Sequence, residues 1–323
     1  MRAVALAAIL IIHFNATVTG YFTLPHKLFA SVLPFGIYLG DFGSSLFFMV
    51  SGAALALTVP ETQSPLVFYK KRAKAIYPLF WLAWGICFSL RFLAKPGYYA
   101  AAKSPTLILT VLGLDNFAVA AGWVGMDFAC VGEWFLGSIL FLYLLFPLLS
   151  RGLQRAPLLT WLFALVVCLP IHWMGLDAHL VAIHLLEFLF GMQYLSMKKK
   201  HRVITAVACM AGTVMLANVD SKITCALFSV VAFTLLAGIS KWLDYPWPRA
   251  ICAKLAKISY AVFLVHHVLI QRMAEQFDLT ALTRRDTAFF FLIYLAAVWA
   301  AAEALLWLQN LLKKGFTAMR ARG

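Results

Sequence analysis

Apolar stretches long enough to cross a bilayer recur along the whole chain, and no other feature constrains its fold as tightly. Residues 36–58, 134–150, 158–174, 223–240 and 287–311 each carry at most one acidic or basic residue. In hydrocarbon every backbone N–H and C=O must be satisfied within the protein, so only helices and closed barrels can span. The runs are continuous rather than alternating, which excludes an outer-membrane barrel. With 63% hydrophobic and 12% charged residues and a mean hydropathy of +0.87, a soluble domain is excluded as well. The sequence therefore predicts an all-α polytopic membrane protein.

Ten membrane-crossing helices are expected, near 2–20, 36–58, 77–94, 134–150, 158–174, 179–196, 203–217, 223–240, 258–273 and 287–311. Asp115 and Asn116 interrupt the apolar run at 105–121, which is expected to be interfacial or re-entrant. Residues 1–323 read as a single integral-membrane domain, with the first helix retained rather than cleaved and no soluble domain at either end.

Ten crossings put both termini on one side. That side collects 19 of the 27 Lys and Arg residues, including Lys70, Lys71, Arg72, Lys74, Lys198, Lys199, Lys200 and Arg202. The imbalance predicts cytoplasmic termini and an inner-membrane location. The net charge of +14 sits in short loops between apolar runs, so it is mostly topological, with a share open to binding an anionic ligand, and does not imply a nucleic-acid partner. The cysteines Cys87, Cys130, Cys168, Cys209, Cys225 and Cys252 lack CxxC spacing and read as small hydrophobes, with no metal framework.

Within this apolar setting, ionisable side chains at depth are the candidate functional groups. Arg2 and His13 lie eleven steps apart in the first helix, on one face and about 16 Å apart along the axis. A neutral imidazole can take a proton from a hydroxyl nucleophile, and a guanidinium fork can hold a phosphate. The spacing resembles the length of an extended acyl-CoA arm. Lys71, Arg72 and Lys74 crowd an expected cytoplasmic loop, either as a topological anchor or as an electropositive mouth for an anionic donor. His266 enters the membrane from the inner side at a depth comparable to His13, with Ser259 on its face and His267 as a weaker candidate. His184 and Glu187, at i,i+3, are expected to satisfy each other. Glu133 and Glu303 are read as structural, and Gly43, Ser44, Ser45, Ser51 and Gly52 as a close-packing or tunnel-lining stripe.

Six segments in order resemble acyltransferase family 3: Arg2-x10-His13; Phe47-Phe48-x-x-Ser51-Gly52; the basic segment running into Ile76-Tyr-Pro-Leu-Phe-Trp81; Trp134-Phe-Leu followed by Tyr143-Leu-Leu-Phe-Pro147; Glu187-Phe-Leu-x-Gly-Met192; and Ser259-Tyr-x-x-Phe-Leu-x-His266. The family's Arg-x-x-Arg pair falls on Arg72 and Ala75, so Lys71 or Lys74 would replace its second member. The glutamate that many members carry after the Trp segment is absent at Ile139 and Leu140. The sequence starts inside the first motif, and a single-domain enzyme without an esterase-like extension is expected.

The resemblance implies a membrane O-acyltransferase. It would move an acyl group, acetyl from acetyl-CoA, at the cytoplasmic face to a hydroxyl of a glycan or lipid-linked saccharide. His13 would be the base, His266 its support, and Arg2, Lys71, Arg72 and Lys74 the donor clamp, with acyl-CoA as a substrate and no resident cofactor. The alternative is a secondary transporter with His13, His184, Glu187 and His266 as a proton relay.

Overall fold

The computed structural model describes residues 1–17, 27–176, 181–240, 242 and 244–320. Segments 18–20 and 179–180 of the expected helices, and Lys241 and Arg322, lie outside the described residues. In chain order the helices are α1 (Arg2–Asn15), α2 (Leu39–Thr58), α3 (Pro65–Ala94), α4 (Leu107–Leu112), α5 (Asp115–Ala120) and α6 (Glu133–Arg155), then α7 (Pro157–Trp173), α8 (Ala182–Tyr194), α9 (Lys199–Leu216), α10 (Ser221–Ile239), α11 (Pro246–Gln276) and α12 (Arg284–Arg320). A two-residue antiparallel pair, Val32–Leu33 with Ile37–Tyr38, precedes α2. Among the described residues the protein is thus all-α but for this pair.

A helix occurs at each of the ten expected segments. Six of them, α2, α3, α6, α10, α11 and α12, are long and apolar enough to cross a membrane. At 13 residues α8 extends only about 20 Å, short of the ~30 Å hydrocarbon core, and the 14 residues of α1 measure about the same before the chain reaches residues outside the description. The run at 105–121 breaks into α4 and α5 at Gly113, whose left-handed φ of 71° ends α4. Neither piece can cross.

Helix starts follow local chemistry. Pro65 and Pro157 open α3 and α7, where a missing N–H costs nothing. Asp220 caps α10 by accepting from the Ile223 N–H at 2.9 Å. The expected loop carrying Lys70 to Lys74 is instead helical, because α3 begins at Pro65. An apolar window finds only the hydrocarbon-facing part of a helix. The internal hydrogen bonds that favour a helix in lipid carry it on through polar turns.

The chain divides into two compact units. The first comprises Met1–Ile12, Phe29–Phe68 and Ser138–Leu255. Its core gathers Ala5, Ala8, Leu46 and Met49 against Phe190, Tyr194 and Phe233. At the centre α2 and α8 pack backbone against backbone. A Cβ on Gly191 would stand 1.9 Å from the Met49 carbonyl oxygen, and one on Gly52 2.1 Å from that of Phe188. The small-residue stripe is therefore a packing face here. Around it Ser51 Oγ meets the Tyr143 hydroxyl at 3.0 Å, and the His184 ring lies 4.4 Å from that of Phe48. Three family-like segments thus explain one another as a single packing junction.

The second unit comprises His13–Leu28, Tyr69–Gly137 and Ala256–Gly323. Here α3 anchors α4 through its aromatic polar tips. The Tyr77 hydroxyl donates to the Leu112 carbonyl at 2.9 Å and the Trp81 indole to that of Val111 at 2.8 Å. These are carbonyls of the last turn of α4, which have no helical donor of their own. The Trp84 indole donates to Phe128 at 2.9 Å, and Glu133 accepts from the Cys130 and Val131 amides at 2.7 to 3.1 Å. Glu133 is structural, as expected. The Tyr260 hydroxyl of α11 donates to the Ile76 carbonyl of α3 at 3.2 Å.

Candidate active site

Three histidines meet in the second unit. The His13 ring lies 4.8 Å from that of His266, at an interplanar angle of 70°, and 5.2 Å from that of His267, at 84°. His13 comes from the last turn of α1, with Phe14 beside it packed edge-on against Phe291 of α12 at 4.9 Å. His266 and His267 come from the middle of α11, where Phe263 packs against Phe135 at 5.0 Å. Aromatic contacts on both helices therefore fix the approach of the three rings.

The hydrogen bonds of His266 define its tautomer. Its Nδ1 lies 2.8 Å from the Phe263 carbonyl oxygen and 3.2 Å from that of Val262. Carbonyls only accept, so Nδ1 carries the proton and Nε2 the lone pair. That Nε2 is buried, and among the described residues it has no hydrogen-bond partner. The residue as a whole is 3% exposed. An unsatisfied buried acceptor costs about 1–3 kcal/mol and asks for a reason. His13 is half-buried, whereas His266 is sealed.

The other expected residues fall as follows. Arg2 is exposed at the first position of α1, in line with His13. Lys71 and Lys74 are exposed on α3, three residues apart and hence neighbours on its surface, and Arg72 is half-buried. Pro78 has no N–H to give the carbonyl of Lys74, four residues back. His184 and Glu187 pair with each other at 2.8 Å in the first unit, Glu187 being 3% exposed. Each thus satisfies the other, as i,i+3 neighbours can.

The sequence reading ranked one residue too low and missed another. His267, the weaker candidate, lies 5.2 Å from the His13 ring, almost as close as His266, which spacing along α11 alone cannot show. Asp115, read only as an interruption of an apolar run, is buried and accepts a 2.5 Å hydrogen bond from the Thr110 hydroxyl. Burial pushes its carboxyl up to about 7, against the opposing pull of that hydroxyl.

Comparison with known proteins places these features in context. A family model described as an acyltransferase domain, that of acyltransferase family 3, matches residues 1–306. Among curated proteins the chain is 26% identical over 273 residues to the acyltransferase MdmB of Streptomyces mycarofaciens, covering 72% of this chain and 69% of that protein. No solved structure matches.

Proposed function

Because this chain belongs to acyltransferase family 3, a family of multi-pass membrane enzymes, we propose that it is an O-acyltransferase. It would move acetyl from acetyl-CoA to a hydroxyl of a glycan or lipid-linked saccharide, in the inner membrane. The observation that carries the reading is the meeting of His13 with His266, whose tautomer is fixed by two backbone carbonyls. Family membership favours this enzyme over the transporter alternative.

In the proposed reaction the acceptor hydroxyl gives its proton to His13 as its oxygen attacks the thioester carbonyl carbon. The carbon–sulfur bond breaks, and the departing thiolate takes the proton back from the imidazolium. His266 acts through His13 as a positioning residue, its ring packed edge-on against that of His13 at 4.8 Å. Arg2, Lys71, Arg72 and Lys74 would hold the phosphates of the donor. Purified protein incubated with radiolabelled acetyl-CoA and a bacterial glycan fraction tests the reading through the release of free CoA thiol.

Arg2→Ala is expected to raise KM for the donor about tenfold or more, with kcat changed little, since a charge-assisted hydrogen bond contributes about 1.5–3 kcal/mol. A variant with unchanged KM and a normal fold would remove Arg2 from the donor clamp.

The donor would enter from the side rich in cations. If all ten expected segments cross, α1 and α8 included, cytoplasmic termini put Lys199 inside and Arg285 outside. Single cysteines at these two positions, in a background without the six native cysteines, can be probed with a membrane-impermeant thiol reagent on spheroplasts. Labelling at 285 and not at 199 is expected. The reverse would overturn both the topology and the side of donor entry.

A further inference from the structure

The first unit holds an apolar cavity of about 650 Å³ between α7, α8, α9 and α10. Neither the histidine site nor the donor clamp uses it. Its walls run from Trp161, Met197 and Thr205 at one end to Trp173 and Leu216 at the other. From Thr205 to Leu216 the α9 axis advances about 16 Å, which is half the hydrocarbon thickness and hence the depth of one lipid leaflet. Glu187, the carboxylate among the lining residues, is engaged by His184 at 2.8 Å.

Cations crowd one end of this cavity. Met197 and Thr205 flank the run Lys198, Lys199, Lys200 and Arg202, in which the three lysines are exposed. The Arg202 guanidinium lies over the Tyr194 ring at 4.5 Å and donates to the Leu195 carbonyl at 2.9 Å, so it is held at the end of α8. This is also where α9 begins, at Lys199, with no side chain capping its first amide groups. An uncapped helix start among cations suits a phosphate. An apolar slot one leaflet deep, ending at that start, has the shape and charge of a phospholipid.

We propose that this cavity binds one anionic phospholipid, an acyl chain lying between α7 and α10 and the phosphate resting at Lys198–Arg202. The lipid would hold α7 and the α9–α10 hairpin to α8 while the membrane protein works. Each lysine near a lipid phosphate contributes on the order of fivefold to binding.

The test uses the full-length protein, purified in a mild detergent, stripped of lipid and titrated with palmitoyl-oleoyl phosphatidylglycerol, phosphatidylcholine or polyprenyl phosphate. Native mass spectrometry counts the bound molecules. One phosphatidylglycerol per chain is expected, retained roughly tenfold better than phosphatidylcholine. Combined Lys198→Gln, Lys199→Gln and Lys200→Gln should abolish that preference and leave the melting temperature in detergent alone unchanged, because the three side chains are exposed. Ala226→Trp, which fills the slot from α10, should abolish retention of both phospholipids. Undiminished preference in the lysine variant, undiminished retention in a folded Ala226→Trp protein, or no lipid retained by the parent would each overturn the proposal. Tenfold tighter binding of polyprenyl phosphate would do so too, assigning the slot to a polyprenyl carrier instead. None of these outcomes depends on acyl transfer.

Discussion

His13→Ala should lower the acyl-transfer rate by about 10²–10⁴-fold, the usual contribution of a general base. The same protein should insert and purify normally. His13 is half-buried rather than sealed, so its truncation costs less packing than that of a fully buried side chain, and the fold is expected to survive. His266 is different in kind. It is 3% exposed and held by two carbonyls of its own helix, so His266→Gln should mostly misplace His13. A smaller loss in kcat, with donor KM preserved, is the expected signature of that positioning role. A folded His13→Ala protein that keeps more than about a tenth of the parental rate would show that the base lies elsewhere.

Gly191→Val should largely abolish folded protein. The Met49 carbonyl oxygen stands 1.9 Å from where a Cβ would be. The obstacle is backbone rather than a flexible side chain, so relief requires α2 and α8 to separate. Overpacking of this kind costs about 3 kcal/mol or more, and moving these helices also disturbs the Ser51–Tyr143 contact and the Phe48–His184 stack. Gly52 faces the Phe188 carbonyl in the same way. Gly85 is the internal control: it lies within α3 with open space around it, so Gly85→Ala should be neutral or add about 0.5–1 kcal/mol. Melting of the detergent-purified proteins distinguishes these outcomes. A Gly191→Val protein that melts within about 2 °C of the parent would contradict the close-packing account.

Apolar periodicity made the helices legible because the bilayer demands them, and helix ends were less legible for the same reason. The turns beyond the hydrocarbon, such as Pro65 to Ile76 or Pro246 to Lys257, are interrupted by Lys and Arg, which break the apolar signal. The number of crossings is harder still, since α8 forms where expected but is short for a bilayer, and α1 measures about the same over its described residues. At the site, His13 and His266 stood out as costly groups at depth, and the structure brings them together. Their meeting with His267 depends on how α1 and α11 approach, which no spacing within one helix encodes. His184 and Glu187 were legible as a mutual pair because i,i+3 neighbours need no tertiary information. Asp115 was missed because burial is a tertiary property: it is bonded by Thr110 of α4, a helix whose last carbonyls are held by Tyr77 and Trp81 of α3.

The central claim is that acyl transfer from an acyl-CoA runs through the histidine site. The most direct measurement reconstitutes the parent and His13→Ala proteins in liposomes with [¹⁴C]acetyl-CoA and a glycan acceptor, following CoA thiol release and label on the acceptor together. The parent should release CoA in step with the appearance of hydroxylamine-labile label, and His13→Ala should do neither above background. CoA release and labelling that persist equally in both proteins, or proton-coupled solute flux by the parent with no CoA released, would contradict the account.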